Sequence, residues 1–291
     1  MVDLILQLLV NGLIAGSLYA LGGVSWGLIY NTTETFHYSA CLIFSFAGYV
    51  AVLVGMDAQL PLVFSFVSAV VAAAFLGCLI EFGMYRNLRE RGAKLFSIFL
   101  CSFGVATMGL SLILLIFSGN PRPLSGFPKI IFEIGPVNFT SEDILIVTVS
   151  WLLIGALIVY LDKSKHGKII RAVSVNHEMA EISGLNVNRV FLLVYAIGSG
   201  LFGAAAFIHT LKYTATPFMG FNPFLMAFLA VFVGGEGSII GAAIGGLIIG
   251  VVMQLGMVVL PGEFKNIVAF AVLFIVILIK PEGLLGVKRI L

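Results

Sequence analysis

Charge is what this sequence of 291 residues has least of: only 10% of them are Asp, Glu, Lys or Arg, where a soluble globular domain carries roughly 25%. With 60% of the residues hydrophobic, a soluble fold could not hide so much apolar surface. Cysteine is scarce as well. Cys41, Cys78 and Cys101 are odd in number, far apart and set inside apolar segments, which fits small buried side chains rather than a disulfide framework. Catalytic equipment is missing too. No nucleophile stands beside a base, and no carboxylates pair in the manner of an acid–base enzyme, so no catalytic residue is expected. His166 and His177 have no cysteine or carboxylate at ligand spacing, so no metal site is expected. The stretch Asp162–Ile169 lacks the first glycine and the final Ser/Thr of a phosphate-binding loop. Gly234–Gly241 has the glycines of a dinucleotide loop but joins two apolar runs instead of a strand and a helix. The chain is therefore expected to hydrolyse no ATP alone, to bind no cofactor and to have no nucleic-acid partner.

What the sequence does have is apolar length. A membrane-spanning helix needs about 20 apolar residues. Candidate spans are 4–30, 38–56, 61–85, 95–118, 143–161, 190–211, 218–233, 238–260 and 264–280. They are continuously apolar without a period of two, which favours helices over barrel strands. Segment 38–56 opens on polar residues and 218–233 is short, so either could be re-entrant, giving eight or nine crossings. Asp3 stands where a signal peptide would be basic, and the apolar run continues through Tyr30, so the first segment is expected to be a retained helix. The expected fold is an all-α polytopic membrane protein, with residues 1–291 forming one transmembrane domain.

Basic residues orient this domain. Arg86, Arg89, Arg91 and Lys94 form one cluster; Lys163, Lys165, Lys168, Arg171 and Arg189 a second; Lys280, Lys288 and Arg289 a third. With nine spans all three fall on one side, which collects 12 of the 16 basic residues. The positive-inside rule then puts the C-terminus in the cytoplasm and the N-terminus outside. Loop 119–142, with Pro121, Pro123, Pro128 and Pro136, is expected outside. Loop 162–189 is expected in the cytoplasm. It has no proline, and residues 168–183 suit a short helix begun by Asp162 or Ser164 and ended by Gly184.

Small residues recur every four positions: Gly12, Gly16 and Ala20; Gly23 and Gly27; Gly237, Gly241 and Gly245; Gly246 and Gly250. In lipid such rows let helix backbones approach closely; the sharper alternative is a set of helices that slide during transport. Polar groups inside spans are few. Glu81 lies near the first basic cluster, where it is expected to pair or reach the interface. Asn11, Ser17, Tyr19, Ser25 and Gln254 could line a polar pathway or bond between helices.

Four stretches taken in order carry a family resemblance. They are Asn11-Gly-Leu-Ile-Ala-Gly16-Ser-Leu-Tyr19-Ala-Leu21, then Gly167-Lys-Ile-Ile-Arg171-Ala172 running on through Asn176 and Ala180 to Gly184-Leu185, then Gly234-Gly-Glu-Gly237-Ser238-Ile-Ile-Gly241-Ala242, and finally Lys280-Pro281-Glu-Gly283-Leu-Leu-Gly286. Over nearly its whole length the chain resembles the permease subunits of branched-chain amino acid ABC importers, the LivH-like group. One stretch departs: His37-Tyr38-Ser39-Ala40-Cys41 stands where the family usually has N-F-A-H-G, which bears on substrate more than on mechanism.

The resemblance implies a helical permease of a bacterial or archaeal inner membrane. It implies a coupling segment carrying Gly167, Lys168, Arg171, Ala172, Asn176, Ala180 and Gly184, docked on one of two cytoplasmic ATPase subunits that hold the ATP. Arg171 and Lys168 would face acidic groups there, and Ala172 and Ala180 would keep the helix slim. An external solute-binding protein and a second related permease are implied, the pore being a heterodimer or, alternatively, a homodimer. Asn11, Gly12, Ser17, Tyr19, His37, Tyr38 and Ser39 are the candidate path residues. The rivals are an importer of the same class for urea, a short amide or a sugar, and a stand-alone secondary transporter, against which the paucity of buried ionisable groups argues.

Overall fold

The computed structural model describes residues 2–258 and 260–286; Lys288 and Arg289 of the third basic cluster lie outside them. Every expected apolar segment is helical. The helices are α1 (Val2–Thr33), α2 (Ala40–Val52), α3 (Leu62–Ile80), α4 (Arg86–Glu90), α5 (Leu95–Phe117), α6 (Ser141–Lys163), α7 (Lys165–Val175), α8 (His177–Ile182), α9 (Val187–Lys212), α10 (Phe221–Gly234), α11 (Ile239–Gly256) and α12 (Lys265–Ile279). Two π-helical turns interrupt them. Leu53–Asp57 extends α2, and Glu81–Tyr85 joins α3 to α4.

Among the described residues seven helices are long and apolar enough to cross a membrane. The expected spans 218–233 and 264–280 are the exceptions. They form α10, of 14 residues, and α12, of 15. At 1.5 Å per residue these reach only about 21–22 Å, short of the roughly 30 Å hydrocarbon core. Segment 38–56, the other doubtful span, is spanning in length once its π-turn is added (Ala40–Asp57). The proline-rich loop 119–142 is more ordered than its composition suggests. It contains β1 (Arg122–Pro123) and a hairpin of β2 (Ile131–Ile134) and β3 (Val137–Thr140). The hairpin turns on Gly135, whose φ of +60° suits a glycine.

The chain divides into two compact units. The first comprises residues 1–27, 126–154 and 225–291. Its core is Met226, Leu229, Ala230 and Val233 of α10, Ile249 and Met253 of α11, and Ala269 of α12. The small-residue rows meet here as a helix crossing. A Cβ on Gly12 would lie 2.7 Å from Val251 Cα, one on Gly16 would lie 3.0 Å from Leu247 Cα, and one on Gly250 would strike the Gly16 backbone. Gly241 and Gly245 meet Gly234 and Ala230 in the same way, and Gly23 meets Ala230 and Ala242. Lipid tails are as apolar as these side chains, so close van der Waals contact rather than water exclusion holds such helices together. The expectation of tight helix packing is met. Two of the quoted stretches also interlock: Leu284 N–H donates to Val233 C=O at 3.0 Å, Leu285 N–H donates to Gly234 C=O at 2.7 Å, and a side chain on Gly283 would strike Gly235.

The second unit comprises residues 28–125 and 155–224. Its centre is α9, the most buried of the long helices. Ala69, Ala73 and Gly77 of α3 face Ser199 and Gly203 of α9; a Cβ on Gly203 would lie 2.6 Å from both Ala69 O and Ala73 Cβ. Beside them Gly220 N–H donates to Ser45 Oγ at 3.1 Å. β1 pairs antiparallel with β4 (Thr214–Ala215), and Arg122 grips both Asp57 oxygens at 2.9 and 3.1 Å.

Candidate functional site

The segment between α6 and α9 is built by its caps. Ser164 Oγ accepts the Gly167 N–H at 2.8 Å and starts α7, as its position predicts. Gly167 lies against the last turn of α6, where an added Cβ would be 2.6 Å from Tyr160 O; no larger residue fits. The expected single helix over 168–183 is instead two. Asn176 takes an extended conformation (φ −158°, ψ 112°) and its Oδ1 accepts the Met179 N–H at 2.9 Å. It thereby ends α7 and caps α8, the competition with helix that Asn side chains offer. Gly184 closes α8 with φ +82°. Its N–H donates to Glu181 O at 2.9 Å and that of Leu185 to Ala180 O at 3.0 Å, the paired bonds of a Schellman ending.

Polarity on this segment is uneven. Gly167, Ile170, Val173 and Ala180 are buried, while Lys168, Arg171 and Ala172 are exposed. Arg171 is engaged within the chain: it donates to Asp162 Oδ1 at 2.6 Å. Sequence reading passed over three large apolar side chains that stand in the open: Val175 at 86%, Met179 at 61% and Ile182 at 81% exposed. They lie within eight residues, outside every membrane-length helix. The signal was available: apolar residues with no intervening span to bury them.

A second constellation sits at the break between α1 and α2. His37 and Ser39 are wholly buried and meet one hydroxyl. Tyr85 Oη lies 3.0 Å from His37 Nδ1, 2.5 Å from Ser39 Oγ and 2.7 Å from Ser102 Oγ. Ser102 Oγ also accepts the Ser39 N–H at 2.9 Å, and the Tyr195 ring stands edge-on to His37 at 5.1 Å. Tyr38 alone of the three candidates here is only half-buried, ringed by Phe99, Phe103 and Phe224 at 5.0–6.5 Å. The remaining candidates belong to the first unit. Gly12 and Ser17 are buried in helix contacts, Ser17 Oγ accepting the Trp151 indole N–H at 3.1 Å. Asn11 and Tyr19 are half-buried, and Asn11 Oδ1 accepts from Gln7 at 3.1 Å. Among the described residues no three His, Cys, Asp or Glu side chains are grouped to hold a metal.

Comparison with known proteins places the whole chain. The family described as the permease component of the branched-chain amino acid transport system matches residues 8–277. The chain belongs to this family. It is 30% identical to the high-affinity branched-chain amino acid transport system permease protein BraD of Pseudomonas aeruginosa, over 97% of this chain and 95% of that one. To the LivH permease protein of Escherichia coli K12 it is 31% identical, again over 97% and 95%. The ribose import permease protein RbsC of Haemophilus influenzae matches 43% of the chain at 30% identity. In fold it is similar to PsaBC from Streptococcus pneumoniae in complex with Fab, with a TM-score of 0.53, 14% identity and 96% and 92% of the two chains covered.

As a member of the permease family the chain is a multi-pass membrane protein with a transport role. Within the stretch 37–41, His37 and Ser39 share a buried hydroxyl cluster with Tyr85 and Ser102. Removing the Tyr85 hydroxyl by Tyr85→Phe leaves several polar atoms buried without it. The permease should lose about 2 kcal/mol of stability, read as a lower thermal midpoint of the purified protein in detergent. An unchanged midpoint would mean the cluster carries no such load.

Proposed function

We propose that this chain is the membrane-spanning permease subunit of an ABC importer for branched-chain or chemically related amino acids. In this reading residues 162–189 face the cytoplasm, the C-terminus lies inside and the N-terminus outside. Gly167, Lys168, Arg171, Ala172, Asn176, Ala180 and Gly184 shape the segment that docks on an ATPase subunit. ATP stays on two such subunits, and this chain carries out no chemistry of its own. A second, related permease completes the pore, and an external binding protein delivers solute. Loop 119–142, with its hairpin, faces that protein.

One observation carries the reading: a twice-capped pair of short helices, basic along α7, exposes Val175, Met179 and Ile182 where no lipid span covers them. Exposed large apolar groups beside polar ones mark a protein contact. Val175 and the α8 residues supply the desolvated centre of that contact and the lysines its rim. Closure of the ATPases moves the segment, and the differential affinity of outward and inward states for ATP and loaded binding protein drives the cycle. For solute contact Asn11, Tyr19 and Tyr38 are the strongest of the path candidates, because each keeps partial exposure. Gly12 and Ser17 are buried in the first unit and His37 and Ser39 in the second, where each pair supports its own neighbours.

The test is reconstitution. The chain is co-expressed with candidate ATPases, a second permease and a solute-binding protein of the same importer class, and the complex is placed in proteoliposomes. Uptake of radiolabelled leucine should require both ATP and the binding protein. Uptake by the chain alone without ATP would replace the reading with a secondary transporter. ATP-driven uptake of urea or ribose in place of leucine would keep the class and change the substrate.

A further inference from the structure

The α7–α8 segment and the buried cluster at the α1–α2 break are joined, within the second unit, by a run of side-chain contacts and one helical turn. At the start of α8, His177 Nε2 donates to Thr32 O at 2.7 Å, at the end of α1. The same ring stands edge-on to Phe191 of α9, centroids 5.3 Å apart. Over the Phe191 ring, 4.7 Å from its centroid, lies the Arg89 guanidinium of α4. Arg89 in turn pairs through both terminal nitrogens with the carboxylate of Glu81, which is only 1% exposed. Glu81 opens the π-turn that Tyr85 closes, and Tyr85 bonds His37, Ser39 and Ser102.

Two features make this run more than adjacency. Residues eight apart are about 12 Å apart along a regular helix. Arg89 therefore reaches back across the π-turn to meet Glu81, so the pair spans the one irregular turn between α3 and α4. π-turns of this kind break the regular ladder and recur at functional sites. The segment also has room: a groove of about 530 Å³ opens beside Arg89, His177, Glu181, Leu185 and Phe191. Packed contacts transmit strain, and the groove leaves α8 room to shift while His177, Phe191 and Arg89 stay in contact.

We propose that Arg89 is a positioning residue for transport: held by Phe191 and Glu81, it carries movement of the α7–α8 segment through the Glu81–Tyr85 turn to the hydroxyl cluster at His37 and Ser39. The proposal rests on the reading of α7–α8 as the ATPase-docking segment. A demonstrated coupling, rather than spatial sequence alone, is what such a route requires.

The experiment uses the reconstituted importer and reads solute transported per ATP hydrolysed. Two variants bracket the route. Phe191→Leu removes the ring that His177 and Arg89 share and leaves the Glu81–Arg89 pair in place. The double variant Glu81→Gln/Arg89→Met removes both charges at once, so that neither is left buried alone. In each, ATPase subunits should co-purify as with the wild type and ATP hydrolysis should persist, while leucine transported per ATP falls at least fivefold. Arg89→Lys, which keeps the charge without the planar stack, should recover part of the loss. A transport-to-hydrolysis ratio equal to wild type in Phe191→Leu overturns the proposal, whether or not the double variant folds. Failure of the wild-type chain to retain ATPase subunits would instead overturn the docking reading beneath it.

Discussion

A permease carrying Met179→Glu and Ile182→Glu together is expected to reach the membrane at wild-type level and to lose ATPase capture and ATP-driven uptake at least a hundredfold. Both side chains are more than half exposed, so the substitutions touch little of the chain's own packing and surface changes of this kind cost it within about 0.5 kcal/mol. At an interface the arithmetic differs. Burying one Met or Ile is worth roughly 1.5–3 kcal/mol, and a carboxylate in its place must be desolvated without a partner. Two such losses exceed about 3 kcal/mol, more than two decades in affinity. Arg171→Ala should do far less. Its guanidinium already pairs with Asp162 in the open, at 50% and 58% exposure, and pairs of that sort contribute about 0–1 kcal/mol. Pull-down of ATPase subunits by the two variants separates an apolar docking face from an electrostatic one. Wild-type capture by the double glutamate variant would show that α8 is not the contact.

What could be read from the sequence follows from how local each cause is. The helices were visible because a bilayer demands long apolar runs, and the ends of the α7–α8 segment because Ser164 and Gly184 act on neighbours three or four residues away. The break at Asn176 was equally local. It was missed because the run 168–183 has enough helix formers to mask a single capping side chain. The shortness of α10 was legible in the short apolar run 218–233. The start of the helix at Phe221 was not, since it follows from Gly220 being drawn against the Cys41 backbone and Ser45. The expected span 264–280 gave no sign that α12 is only 15 residues long. Nor was the cluster around Tyr85 local, since its partners lie 17 to 48 residues away. His37, Tyr38 and Ser39 could be singled out as departures from the family, but nothing in their spacing could tell that His37 and Ser39 turn inward while Tyr38 keeps an open edge. Glu81 was expected to pair near the basic cluster, and its partner Arg89 comes from that cluster. The π-turn that brings the two together leaves no mark on periodicity.

Within the first unit the largest stability effect should come from a single methyl-bearing substitution at Gly250. Its Cβ would occupy the space of the Gly16 backbone N and Cα and lie 2.7 Å from Gly12 O. No flexible side chain stands there to swing aside; relief requires α1 and α11 to separate. Separation in turn breaks the reciprocal contacts of Gly12 on Val251, Gly16 on Leu247 and Gly246 on Ala20, because one rigid crossing holds them all. Overpacking a tight core costs about 1–3 kcal/mol for accommodating side chains, and here the lost van der Waals seam adds to it. Against a total stability of roughly 5–15 kcal/mol, Gly250→Val should remove most of the monodisperse protein recovered in detergent and lower the thermal midpoint of the rest. Gly104→Val supplies the control, since a Cβ on Gly104 of α5 meets nothing within 4 Å and the same change there gains about 0.3 kcal/mol in helix propensity. Size-exclusion profiles and melting curves of the two variants decide the matter. Equal behaviour would mean that the rows of small residues in α1 and α11 permit sliding rather than fix a seam, and the alternative reading of those rows would then take its place.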